Sequence, residues 1–168
     1  MSAQIEVDKS ELISEDSRAE IDQWIAKYPA DQKQSAVMAA LRIVQDQNGG
    51  WLTDDLMDAV AEYLEMLAIA VYEVATFYSM YELKPVGKHK LCICTNISCM
   101  LRGSEEIVEH LENRLGVKLS GTTEDGKVTL KEVECLGACV NAPMMQVGEQ
   151  YHENLTPDSV DAFLDGLE

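Results

Sequence analysis

The chain is short of basic residues. It has 13 Lys+Arg against 30 Asp+Glu, a formal charge of −17. The shortage runs its whole length: residues 1–85 carry 16 acids and 6 bases, and residues 86–168 carry 14 and 7. A polyanion is repelled by phosphate backbones and anionic lipid surfaces, which argues against nucleic acid binding and electrostatic membrane docking. Long apolar runs are missing too. The longest, Met66–Tyr72, has seven residues, against the roughly 20 that span a bilayer, so no direct membrane insertion is expected. The opening MSAQIEVDKSELISED has no basic region followed by an apolar core. It is acidic, the reverse of a mitochondrial transit peptide, and the reading expects no leader and an intracellular protein. No GxG and no GK[ST] occurs, so neither a dinucleotide fingerprint nor a phosphate loop is present; HExxH and GxSxG are also absent.

Cysteine is absent from the first 91 residues and then appears at 92, 94, 99, 135 and 139. An odd count without an export signal makes a disulfide scaffold a poor explanation, whereas clustered cysteines in a reducing compartment point to metal or catalysis. The two halves differ in pattern as well. Residues 17–28 read as a helix closed by Pro29, and a second helix runs from about Gln34 to Gln47, stopped by Asn48-Gly49-Gly50. A third starts at the N-cap Thr53, with an apolar face of Leu56, Val60, Tyr63, Leu64 and Leu67. A fourth covers about Val71–Tyr81. Short amphipathic helices with short connections predict a small bundle over residues 1–85.

Lys84-Pro85-Val86-Gly87-Lys88 punctuates the chain. After it, Lys90–Cys94 and Lys127–Val133 read as strands, and Met144–Val147 with Gln150–His152 as a hairpin around Gly148-Glu149. Ser104–Leu115 reads as a helix capped by Ser104, and Thr156-Pro157-Asp158 opens a last one. The order strand, helix, strand, strand, helix suits a layered second domain over 86–168, and the whole chain reads as α+β.

Four cysteines form two pairs, Cys94 with Cys99 (C-x4-C) and Cys135 with Cys139 (C-x3-C), each following a predicted strand. Four thiolates, two per iron, are what a [2Fe–2S] cluster requires. A structural zinc site takes the same ligands, but its knuckles are usually C-x2-C. A dithiol redox enzyme would want C-x-x-C, and a Rieske centre would want histidines in the loops; His89, His110 and His152 are elsewhere and read as surface residues. Four inert buried thiols would sit on apolar stripes, not in glycine-bearing loops. Cys92 reads as a small apolar side chain in a sheet.

Three segments, VYEVATFY from Val71, KPVGKHKLCICTNISCMLRG from Lys84 and VECLGACVNAPMMQV from Val133, resemble the thioredoxin-like [2Fe–2S] subunit of respiratory NADH:quinone oxidoreductase, complex I. The resemblance covers roughly residues 14–168. It implies a helical N-terminal bundle followed by a thioredoxin-like α/β domain carrying one [2Fe–2S] cluster, with Cys94, Cys99, Cys135 and Cys139 as ligands. It implies an electron-transfer subunit, part of an enzyme without a complete catalytic site of its own. FMN and NADH are expected on the partner, a flavin/NADH-binding subunit that forms a heterodimer with this chain before joining the larger peripheral arm. The implied place is cytoplasmic, peripheral to the inner membrane through the complex.

The resemblance is incomplete. The family usually breaks its third helix with a Leu-Gly-Ile-Pro type segment, and Leu64-Glu65-Met66-Leu67 has neither Gly nor Pro. The third and fourth helices are therefore left open as continuous or separately angled. Arg102, three residues after Cys99, either offsets cluster charge or is a solvated arginine. The aromatics of Val71–Tyr81 divide between bundle core and a partner surface. Three other identities stay open: the matching subunit of an NAD-linked hydrogenase or formate dehydrogenase, a free-standing thioredoxin-like ferredoxin, and a zinc-stabilised interaction module.

Overall fold

The structure is a computed structural model that describes residues 9–167. These fall into two compact units whose boundary lies between Pro85 and Val86. In the first unit, α1 spans Glu15–Ile25, with the Ser14 hydroxyl accepting from the Ser17 N–H. The sequence pattern places this helix two residues later and carries it on to residue 28. It starts earlier because Ser14 supplies the cap. It stops earlier because the chain tightens ahead of Pro29, with Lys27 and Tyr28 donating only three residues back, to Trp24 and Ile25.

A single 3-10 turn, Lys33–Ala36, leads into α2, Val37–Gln47. The helix ends where Gly49 and Gly50 take φ of 72° and 96°, values that favour glycine. Helix α3, Asp54–Leu64, is capped by Thr53, whose hydroxyl accepts from the Leu56 N–H. Helix α4 is Ala68–Phe77, shorter than expected at its C-terminal end.

Helices α3 and α4 are separate. Glu65 takes the left-handed conformation at φ 57°, and the Met66 N–H reaches back to the Ala61 carbonyl at 2.9 Å. That six-residue closure is a Schellman stop built without glycine. Leu67, placed by periodicity on the apolar face of α3, lies beyond the stop and is 76% exposed. The core of this unit is Ile21, Leu41, Val44, Val60 and Val71, all fully buried. Tyr81, past the end of α4, is buried among them and donates its hydroxyl to the Met38 carbonyl at 2.8 Å.

The second unit is a four-stranded sheet of order β2-β1-β3-β4. Strand β1, His89–Cys94, lies at its centre. It pairs in parallel with β2, Val128–Val133, so that Cys94 stands opposite Val133. It pairs antiparallel with β3, Met145–Val147, which turns through Gly148-Glu149 into β4, Gln150–His152. Helices α5, Ile97–Leu101, and α6, Ser104–Leu115, connect β1 to β2, and α7, Pro157–Asp165, closes the unit. The N-cap of α6 is Gly103, at φ 92°, and not Ser104, whose buried side chain makes no cap bond. Leu91, Ile93, Ile107, Leu111 and Leu130 form the core against the sheet. Among the described residues no helix is long and apolar enough to cross a membrane.

Candidate metal centre

Parallel pairing sets the site. Two strands that run the same way deliver their outgoing loops to the same edge of the sheet. Cys94 is the last residue of β1, and Cys135 comes two residues after the end of β2. Cys99 sits in α5, and Cys139 opens the 3-10 turn Cys139–Asn141. Both cysteine pairs are thus led to the C-terminal edge of the β1–β2 pair.

The pairs differ in environment. Cys94 and Cys99 are buried, at 3% and 1% exposure, and pack with Ala142 and Met144 in a small apolar cluster. Cys135 and Cys139 are exposed. Burial pushes the Cys99 thiol up to about 11, helped by its hydrogen bond with Cys94 and the negative charge Cys94 carries when ionised. A hydrogen bond with the Met144 backbone works in the other direction, and Cys139 adds a weaker upward push. The Cys94 thiol donates to the Glu134 carbonyl at 3.3 Å. Cys94 and Cys99 are therefore together and Cys139 is within electrostatic reach. Among the described residues, however, no three His, Cys, Asp or Glu side chains are already gathered as a metal-binding group.

The loops are tied to each other by backbone groups. The Cys94 N–H donates to the Met144 carbonyl at 3.1 Å, and the Thr95 N–H to Val133 at 3.2 Å. Asn96 caps α5 and also donates to the Glu134 carboxylate at 3.1 Å. Tyr151 on β4 donates its hydroxyl to the Leu136 carbonyl at 2.8 Å, inside the second cysteine pair. Arg102 is exposed at the surface and also tied to the backbone: its Nε donates to the Ala142 carbonyl at 2.7 Å. Tyr151, Met144 and Ala142 escape sequence reasoning, because Met144 and Ala142 act through their own carbonyls and Tyr151 bonds the carbonyl of Leu136, none of which leaves a residue signature. The histidines are outside both loops, as spacing implied, but they are engaged rather than merely superficial. His110 bonds Asp161 at 2.9 Å, and His152 packs on Phe163 at 4.5 Å between ring centroids.

Cys92 shares the pleat side of Cys94, opposite the buried Leu91 and Ile93, and is half-buried in register with Lys131 and Gln146. Its neighbours along the strand set no ligand loop. Cys92→Ser is expected to keep both the iron content and the visible spectrum of the wild-type protein, measured after anaerobic purification. Loss of the chromophore in that variant would make Cys92 a ligand.

The donor set fits an iron–sulfur cluster. Four soft thiol donors in two pairs satisfy a [2Fe–2S] cluster, two per iron, and no carboxylate or imidazole side chain lies between the paired cysteines to suggest a harder metal. Comparison with known proteins agrees. The chain is 50% identical over 147 residues to a subunit of the NADH-quinone oxidoreductase of Rickettsia conorii, covering 88% of each chain. It is 42% identical over 154 residues to the mitochondrial NADH dehydrogenase [ubiquinone] flavoprotein 2 of Dictyostelium discoideum, covering 92% of this chain and 62% of that one. Among solved structures, an NAD+-reducing [NiFe]-hydrogenase in the H2-reduced state superposes with a TM-score of 0.66 at 15% identity, over 76% of this chain and 22% of that one. At that identity the likeness is one of fold. Residues 21–168 match the family described as thioredoxin-like [2Fe-2S] ferredoxin, and the chain belongs to that family.

Proposed function

We infer that this chain is the [2Fe–2S] electron-transfer subunit of an NADH:quinone oxidoreductase of the complex I type. Residues 1–85 are its helical bundle domain and residues 86–168 its thioredoxin-like [2Fe–2S] ferredoxin domain. The observation that carries the reading is the delivery of C-x4-C and C-x3-C to one edge of a parallel strand pair. Cys94, Cys99, Cys135 and Cys139 are the ligands. A bound cluster supplies a one-electron redox centre.

The chain's own residues hold and shield that centre. Cys94 and Cys99 present their sulfurs from an apolar cluster, which limits water on that side. Cys135 and Cys139 present theirs from an exposed loop, the side open to a partner. The Leu136 carbonyl, held by Tyr151, fixes the span between them.

Hydride donation by NADH delivers two electrons together, and a flavin divides them into single steps. The chain has no dinucleotide fingerprint and no phosphate loop. FMN and NADH therefore belong to a partner subunit, which docks as a heterodimer before the larger peripheral arm assembles. The strong negative charge makes long-range attraction to an acidic partner poor, so docking rests on apolar contacts. Leu67, Ile69 and Phe77, exposed at 76%, 65% and 80%, lie on or beside α4 and supply such a surface. The assembly is cytoplasmic and peripheral to the membrane.

The test is anaerobic mixing of the full-length iron-loaded chain with excess NADH, followed by EPR, and then addition of the flavoprotein subunit. The reduced-cluster signal is expected only after the second addition. Rapid reduction by NADH alone would overturn the division of labour and reveal a nucleotide site on this chain.

A further inference from the structure

Arg102 stands at a junction of the two ligand loops. It comes three residues after Cys99, and Ala142 comes three after Cys139. The Arg102 Nε donates to the Ala142 carbonyl at 2.7 Å. Ala142 itself packs on Cys94 and Cys99 in the buried cluster, at 1% exposure. One guanidinium thus spans from the end of the first loop to the backbone of the second.

Arg102 is exposed, and among the described residues its charge is not matched by an ion pair. Arg42 pairs with Glu20 and Asp46, and Arg114 with Asp161 and Asp165. Among the described residues no carboxylate stands at ion-pair distance from Arg102, although the chain carries 30 acids against 13 bases. In so acidic a chain, an arginine anchored to a carbonyl at the ligand edge is placed for a different anion. A two-iron cluster on four thiolates carries two net negative charges, and three once reduced.

We propose that Arg102 is a positioning residue with two separable actions. Its Nε straps the Cys135–Cys139 loop to the Cys94–Cys99 loop, and its positive charge favours the more negative, reduced state of the centre. The proposal rests on Cys94, Cys99, Cys135 and Cys139 being the ligands. Reduction adds one electron and breaks no bond; in the test the electron comes from a low-potential viologen dye poised with dithionite.

The two actions separate in two variants of the full-length chain. Arg102→Gln removes the charge and disturbs the strap. Arg102→Lys keeps the charge and loses the Nε bond. In Arg102→Gln the one-electron reduction equilibrium is expected to fall on the order of tenfold, which is about 59 mV for one electron. Iron release to a strong chelator is expected to quicken several-fold in both variants, while Arg102→Lys keeps a potential near that of the wild type. A third measurement needs no iron: in the metal-free chain, hydrogen exchange at the Asn141 and Ala142 amides is expected to quicken in both variants. Wild-type potential and release in Arg102→Gln would overturn the proposal, as would unchanged exchange in the metal-free variants. A wild-type chain that holds no iron would instead overturn the ligand assignment, and the exchange measurement then decides the strap alone.

Discussion

Cys99→Ala is expected to leave the purified chain without its visible chromophore and with far fewer than two irons. Each iron of the cluster needs two thiolates from the protein, and no spare thiol or imidazole lies in either loop. Cys99 is the most buried of the four at 1% exposure, so neither solvent nor a small thiol in the buffer readily takes its place. The nearest other cysteine in the sequence, Cys92, belongs to the strand and not to a ligand loop. The packing loss is small by comparison. Removing one sulfur from a cluster of four buried residues costs at most about 1–2 kcal/mol, at the low end of large-to-small substitutions. Far-ultraviolet circular dichroism should therefore stay close to that of the metal-free wild type. The same substitution at exposed Cys139 should lose the chromophore as well, although its packing cost is close to nothing. Agreement between a buried and an exposed position would separate ligation from folding. Two irons and an unchanged spectrum in Cys99→Ala would refute the ligand set.

The parts of this fold that sequence makes legible are those governed by neighbours in the chain. Thr53 caps α3 because its hydroxyl meets an N–H three residues on, and Thr156 caps α7 in the same way. Gly49 and Gly50 stop α2 for a reason visible in their own chemistry. The α3–α4 break is different. Glu65 adopts a left-handed conformation that glycine or asparagine would normally fill. Its carboxylate meets Lys33 at 3.0 Å, a partner 32 residues away. No local rule finds that position. Ser104 misleads in the opposite sense: serine is a favoured cap, yet Gly103 takes the cap and the serine is buried as the first helical residue.

The site divides along the same line. The pairs Cys94/Cys99 and Cys135/Cys139 are local spacings and are visible in the sequence. Their loops reach one edge through the parallel register of Cys94 with Val133, set by strands more than 30 residues apart. The unequal burial of the pairs arises because Met144 and Ala142 cover only the first of them. The Arg102–Ala142 bond needs both loops folded before it exists, so Arg102 could be named from its position but not assigned a partner.

Ile93→Ala is expected to destabilise the second unit by about 2–5 kcal/mol. Ile93 is fully buried in the central strand β1, paired with Glu132 on one side and Met145 on the other. It packs in the cluster formed by Leu91, Ile107, Leu111, Leu130 and Val160. Truncation removes three methyl or methylene groups from a core with strands on both sides, where neighbouring backbone cannot easily move in to fill the space. Against the 5–15 kcal/mol typical of a whole domain, that loss is large. Ile97→Ala provides the control. It deletes the same atoms four residues later, at a side chain 66% exposed, and should change stability by no more than about 0.5 kcal/mol. Both variants would be unfolded with urea in the metal-free state, so that loss of iron does not complicate the transition. The transition should be followed through amide exchange of β1 and β2 and separately of α2 and α3, because the chain has two cores and a single global signal would average them. A shift below about 1 kcal/mol for Ile93→Ala would mean that the sheet core relaxes around the gap, contrary to the packing that the fully buried neighbours imply.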